Sequence, residues 1–476
     1  MFVGNGRTRR RRRAAGVAAA VLAVTAVAVG AAGPAAAGEG PPVGVWAMDG
    51  YGTVLSVEPG RLREYQVTAV SCAEGYTAER SGGDGGTARY TTDDLTVLTL
   101  RAGGGHGRAS LHIDGSTGDR GLRRVAALPE VCTDTAPADG PVAAFDAFWQ
   151  TFAENYPFFA AKGVDWSAVR DRYRPRIGPD TTRDELFAVF GEMVAPLNDA
   201  HVVVSEKDGP RFFFAVRPGT VLPGPDLDTK VKTFVQERDL NGRPLQEYAR
   251  GRVSYADLPG GRGYLRVSGF AGYTEENSYA ANGAELDRAL DAILSRERVA
   301  RLKGLVVDLR INGGGSDALG LRIASRLTDR PYFAYAKRVR DDPWDATSFT
   351  RPQPLYVRPA AAPRYTGPVA VLTGGSTFSA GETFIQALME RPGARTVRIG
   401  QATQGVFSDV LARALPGGWQ LGLPNEEFLT RAGRTFDGTG IPPHIEVPVF
   451  TDEEFARRRD SAFDAAVGFL GGRPGR

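Results

Sequence analysis

Apolar residues follow two rhythms along this chain. Between residues 40 and 135 they alternate with polar ones, as in Gly52-Thr-Val-Leu-Ser-Val, Leu62-Arg-Glu-Tyr-Gln-Val-Thr and Leu95-Thr-Val-Leu-Thr-Leu. Gly- and Asp-rich turns such as Ser81-Gly-Gly-Asp-Gly-Gly separate these runs. A period of two with punctuating turns predicts short strands, hence a small all-β barrel or sandwich over 40–135. Residues 134–140 read as a linker. From residue 141 the period lengthens: Phe145, Phe148, Trp149 and Phe152 recur at i, i+3, i+4 and i+7, the mark of an amphipathic helix. Thr181 to Leu197 holds a second helix, opening Thr-Thr-Arg-Asp-Glu with a capping box. Together they predict a helical subdomain over 141–205. Residues 206–258, broken by Pro218 and Pro223, read as an extended connecting region.

An α/β rhythm then fills 259–476. Strands are expected at 263–270, 304–309 and 368–373, and helices over Asn282–Arg301, from about Asp317, and from near Ser379. Apolar strands alternating with helices imply a sheet covered on both faces.

Composition adds the compartment. Hydrophobic residues make up 42% and charged residues 24% of 476, an ordinary globular balance. Residues 1–37 read as a secretory signal: a block of arginines at 7 and 9–13, an apolar run from Ala14 to about Ala32, and small residues at Pro34-Ala-Ala-Ala. The block is compatible with a twin-Arg signal or a simple charged leader. The mature chain is therefore expected to be secreted, with no stable membrane span. The leader carries six Arg and no acid, so the net charge of +3 falls to −3 without it, and nothing recommends nucleic acid as a partner. The two cysteines of an exported chain, Cys72 and Cys132, are expected to pair.

Four segments could carry chemistry. Asp308-Leu-Arg-Ile-Asn-Gly-Gly-Gly-Ser follows a strand and precedes a helix. Its glycines let backbone N–H groups approach a ligand oxygen, as a phosphate cradle or an oxyanion hole, or simply make a tight turn. In Gly374-Gly-Ser-Thr-Phe-Ser-Ala-Gly-Glu, Ser379 stands at a helix start, where the dipole and unpaired N–H groups favour an alkoxide. The same residue could be a plain N-cap, and Ser376 competes with it. Histidines are scarce: His106, His112, His201 and His444. His106 and His112 fall among the β-strands and His444 follows two prolines, all structural positions. His201 ends Leu197-Asn-Asp-Ala-His, between a helix and a strand, and is the base available to a serine nucleophile. Asp437, in Phe436-Asp-Gly-Thr-Gly, could orient that histidine or only form a turn.

Taken in order, these motifs resemble the carboxyl-terminal processing (tail-specific) serine peptidases, over about residues 141–450. The branch is that of the tricorn core and interphotoreceptor retinoid-binding protein. Besides the segments above, Asn155-Tyr-Pro-Phe-Phe, Val164-Asp-Trp and Gly438-Thr-Gly-Ile-Pro-Pro-His-Ile-Glu-Val carry the resemblance. It implies a crotonase/ClpP-like ββα core, an α/β (α+β) fold with the helical subdomain and the N-terminal all-β domain appended. It implies a serine-type endopeptidase acting on peptides or proteins without a metal or cofactor. By the resemblance, Ser379 is the nucleophile, His201 the base and Asp437 its orienting acid. Ala380 and a glycine of the turn, Gly314 by preference, donate to the oxyanion.

Three positions depart from the pattern. Gln404 stands where the processing branch has its lysine base, and an amide does not titrate. Ala200 replaces a serine before the histidine, and Asp437 replaces a glutamate, leaving Glu426, Glu427 and Asp199 as substitutes. The 206–258 stretch is too short for the PDZ domain many relatives carry. The alternative readings are a hydrophobic-ligand-binding protein on the same scaffold, or an esterase or amidase.

Overall fold

The computed structural model describes residues 42–105, 107–133 and 139–471. The expected leader and His106 lie outside the described residues, as does most of the expected linker.

Eight antiparallel strands between Gly44 and Val125 close into a barrel in simple chain order, the last strand (Arg120–Val125) pairing with the first (Gly44–Met48). Closure leaves no unpaired sheet edge. The alternation read from the sequence points Leu55, Leu62, Ala88, Leu98, Leu100, Leu111 and Leu122 inward, all buried. Cys72, at the start of a strand, and Cys132, in a short turn after the barrel, are bridged across 60 residues.

The helices that follow pack their apolar stripes together. Phe145, Phe148 and Phe152 of helix Gly140–Asn155 are buried, and Phe148 stacks on Phe190 of helix Arg183–Val194. That second helix opens with the expected capping box, Thr182 and Glu185 each bonding the other's backbone N–H. Thr182→Ala is expected to cost about 1 kcal/mol in a denaturant unfolding curve.

The stretch read as extended over 206–258 is more structured. Residues Pro225–Phe234 form a helix, started by Pro225 at its first position and continued by a π turn to Asp239. Strands Gln246–Tyr248 and Val253–Leu258 belong to the main sheet. The prolines at 218 and 223 precede these elements rather than interrupt them. The helix expected over 282–301 is two, Tyr279–Ile293 and Arg296–Arg301, because Ser295 caps a new start.

The main sheet has seven strands, antiparallel over its first three and parallel from Arg262–Val267 through Gly304–Asp308, Val369–Thr373 and Thr396–Gly400 to Ile445–Glu446. The hydrophobic interior is divided. One cluster joins the barrel, the helical segment and the hairpin Val410–Pro424; a second lies under the sheet, the Gly turn and helix Ala380–Met389. Polar side chains cross the seam between them. Tyr51 of the barrel donates to Glu426 (2.5 Å), Lys337 stands 2.8 Å from Glu426 and donates to Thr117 O (3.2 Å), and Ser316 donates to Gly115 O (2.7 Å). No helix among the described residues is long and apolar enough to cross a membrane.

Candidate active site

Two neighbouring parallel strands deliver the central elements. Beyond Gly304–Asp308 and Val369–Thr373, the chain continues in two short strands that pair in register, Ile311 with Ser376 and Asn312 with Thr377. The Gly313–Gly315 turn and Ser379 therefore leave the same sheet end side by side, the usual place for a site in a parallel sheet. Contact between them is close. A Cβ on Gly314 would lie 2.5 Å from the Ser379 Cβ and 3.1 Å from the Ala380 nitrogen, and Gly314 has φ +73°. Only glycine fits there.

Ser379 is not a conventional cap. Its backbone is at φ 55°, ψ −124°, a conformation a non-glycine residue adopts under strain, and its side chain makes no capping bond. The residue is half-buried just before helix Ala380–Met389. Ser376, the competitor, donates its hydroxyl to Val221 O at 2.7 Å and is held there. The Ala380 N–H, at the first helical position, has no acceptor among the described residues. Within the Gly turn, the Gly314 N–H donates to Asn312 Oδ1 (2.9 Å), while the Asn312 amide donates to Val267 O (2.8 Å). The Gly315 N–H has no acceptor among the described residues.

His201 arrives from the other hydrophobic cluster. A left-handed Asn198 (φ 46°) ends the helical segment, and the strand Val203–Glu206 begins two residues after the histidine. The imidazole is buried and meets the Phe378 ring edge-on, with centroids 5.0 Å apart, one residue from Ser379. Its Nδ1 has no hydrogen-bond partner, and among the described residues no hydrogen bond joins it to Ser379. Burial holds its pKa below the ordinary 6.5, against the pull of Asp199 and Asp409.

Asp437 is buried but does not bond the imidazole. It accepts from Phe407 N–H (3.2 Å) and Thr435 Oγ1 (2.5 Å), and burial pushes it up to about 7. The carboxylate that touches His201 is Asp199, which accepts the His201 backbone N–H (3.0 Å) and the Tyr156 hydroxyl (2.9 Å). Of the other substitutes, Glu426 is held at the seam by Tyr51 and Lys337, and Glu427 by Arg338.

Several residues with no role read from sequence brace the site. Glu382, pushed by burial up to about 8, accepts Gly405 N–H (2.7 Å) and Val406 N–H (2.8 Å). It thereby straps the 405–406 backbone to helix Ala380–Met389, while Asp437 holds Phe407 beside it. Asp317, also pushed up to about 8 by burial, accepts from Thr383 (2.6 Å) and ties the helix after the Gly turn to the helix after Ser379. Glu382 and Asn312 lie inside the segments singled out above; Asp317 and Tyr156 pair with partners too distant in sequence to be inferred. Gln404 is a strut, its amide nitrogen turned toward Gly375 O (2.9 Å) and its oxygen toward Arg217 N–H (3.2 Å). His112 bonds Gly118 O and Asp119, and His444 accepts Arg398 N–H, both away from the site. A cleft of about 940 Å³ opens beside the Gly turn, lined by Pro223, Arg252, Ser268 and Gly269.

Residues 261–447 match the model of peptidase family S41, and residues 142–195 match that of the tricorn protease C1 domain. A candidate peptidase from Parabacteroides merdae ATCC 43184 is similar over 70% of this chain and 97% of its own, at 26% identity and a TM-score of 0.59. A mutant of CPAF shares the fold over 71% of this chain and 98% of its own, at 14% identity and a TM-score of 0.51. No curated protein matches.

Proposed function

With this chain a serine peptidase of family S41, we propose that it is an exported endopeptidase working by Ser379–His201 acyl transfer. The observation that carries the reading is Ser379 itself: a strained, uncapped serine at a helix N-terminus, pressed against a glycine turn. His201 takes the hydroxyl proton as Ser379 attacks a peptide carbonyl, then protonates the leaving amine. Ala380 N–H and an N–H of the Gly turn receive the oxyanion. Gly314 fills that role only by releasing Asn312, whereas Gly315 is already free. The buried, otherwise unpaired imidazole and the uncommitted hydroxyl meet when substrate draws the two clusters together. Asp199 and Tyr156 set the histidine's backbone; Asp437 acts through the 405–407 strap. The Arg-rich leader supports export.

The test is labelling by a fluorophosphonate with mass-spectrometric mapping, alongside cleavage of an unfolded protein. Label on Ser379 is expected; label on Ser376, or none, would reject the assignment. The pH profile tests the base. Burial lowers the His201 pKa, so the neutral, proton-accepting form persists below pH 6.5, and the acid limb of kcat/KM should have its midpoint under that value. A midpoint above 7 would point to a different base.

A further inference from the structure

Strand Phe212–Phe214 is the edge of a four-stranded sheet, paired only with Val203–Glu206. The bond from Glu206 N–H to Arg211 O fixes which residues face that partner. In an antiparallel pair bonded residues alternate, so Phe213 turns its backbone groups inward to Val204. Phe212 and Phe214 turn theirs outward. Neither has a backbone partner among the described residues. Their rings share one face 5.7 Å apart and are 60% and 46% exposed. Natural edge strands are usually protected by charge, proline or cover; these two aromatic residues are open.

The edge leads into the candidate site at its Phe214 end, through its partner strand and through the chain that follows it. Phe214 lies opposite Val203, two residues from His201. The chain leaving Phe214 reaches Arg217, which holds the carbonyls of Thr403 and Gln404, then Thr220 beside Gly375 and Val221, the acceptor of Ser376. We propose that Phe212–Phe214 is the docking strand for substrate. An extended peptide adds alongside it, bonds the free N–H and C=O groups of Phe212 and Phe214, and lays apolar side chains on their rings. The main chain supplies affinity and the aromatic pair supplies preference at alternate positions. The occupant is a peptide rather than a second copy of the chain, because two free residues offer far less than the roughly 1,000 Å² a stable interface buries. Calling the peptide a substrate rests on the peptidase reading; the docking can be measured without it.

The experiment uses the full chain carrying Ser379→Ala and fluorescein-labelled casein, read by anisotropy. Adding Phe212→Pro removes one outward N–H at a position where an edge strand tolerates proline. Adding Phe212→Ala with Phe214→Ala removes the rings and keeps the backbone. Each is expected to weaken binding about tenfold, the order of a lost hydrogen bond or aromatic contact, with the thermal unfolding midpoint unchanged. Unaltered binding in both, or no casein binding by the parent, overturns the proposal. So does a dimer that Phe212→Pro converts to monomer. Fluorophosphonate labelling of the Ser379 protein separates the readings: labelling with unaltered binding rejects only the docking strand, and loss of binding without labelling rejects only the peptidase assignment.

Discussion

Replacing Ser379 with alanine is expected to lower peptide hydrolysis by about four to six orders of magnitude and to abolish fluorophosphonate labelling. The protein should stay folded. The Ser379 hydroxyl makes no capping bond and has no hydrogen-bond partner among the described residues, so its loss orphans none of them. Alanine keeps the Cβ that packs on Gly314 and meets the same φ of 55° as serine. Ser376→Ala is the informative contrast. It leaves Val221 O without its donor and should cost about 1 kcal/mol of stability, with labelling intact. If Ser379→Ala retains labelling while Ser376→Ala loses it, the nucleophile has been misassigned.

Arg310→Met should destabilise the fold by about 3–5 kcal/mol, read as a lower denaturant midpoint. Arg310 is buried and grips two carboxylates. It meets Asp308 through two nitrogens (3.0 and 2.7 Å) and Asp460 through a third (2.6 and 2.7 Å), while its guanidinium lies over the Phe450 ring at 4.0 Å. Tyr264 also donates to Asp308 (2.6 Å), and Asp460 caps the last helix through Phe463 N–H. Methionine fills the volume but leaves both carboxylates unpaired. The arginine holds Asp308 below the ordinary carboxylate range despite burial. Charge therefore dominates the loss, and Asp308→Asn with Asp460→Asn in the Arg310→Met background should recover part of it. No recovery would mean that packing, not charge, sets the cost.

The strand–turn–helix units that position Ser379 and the Gly turn were legible in the chain because each is local: an apolar run, glycines, then a helix start. The barrel was legible as alternation, as was the Phe145–Phe152 face. What escaped is held by distance. Arg310 sits within a segment read for its glycines, yet its partner Asp460 is 150 residues away. The helix Pro225–Phe234 was hidden because Pro218 and Pro223 look like breakers, whereas they only precede it and Pro225 starts it. The acid beside His201 was ambiguous for a related reason. Asp437 occupies the expected place in the motif, but its loop commits it to Phe407 and Thr435, while Asp199 reaches the histidine through a local turn.

The proposed Ser379–His201 pair spans the divided interior. Ser379 is fastened to one cluster and His201 to the other. The polar seam between them, including the Ser316–Gly115 bond beside the Gly turn, fixes their relative position. In the proposed reaction, a slip along this seam would leave each cluster well packed and break the proton path from Ser379 to His201. The barrel holds none of the proposed catalytic residues, yet Tyr51 and Gly115 supply its side of that seam. Under the proposed mechanism, a substitution at the seam such as Tyr51→Phe is therefore expected to lower turnover from a distance.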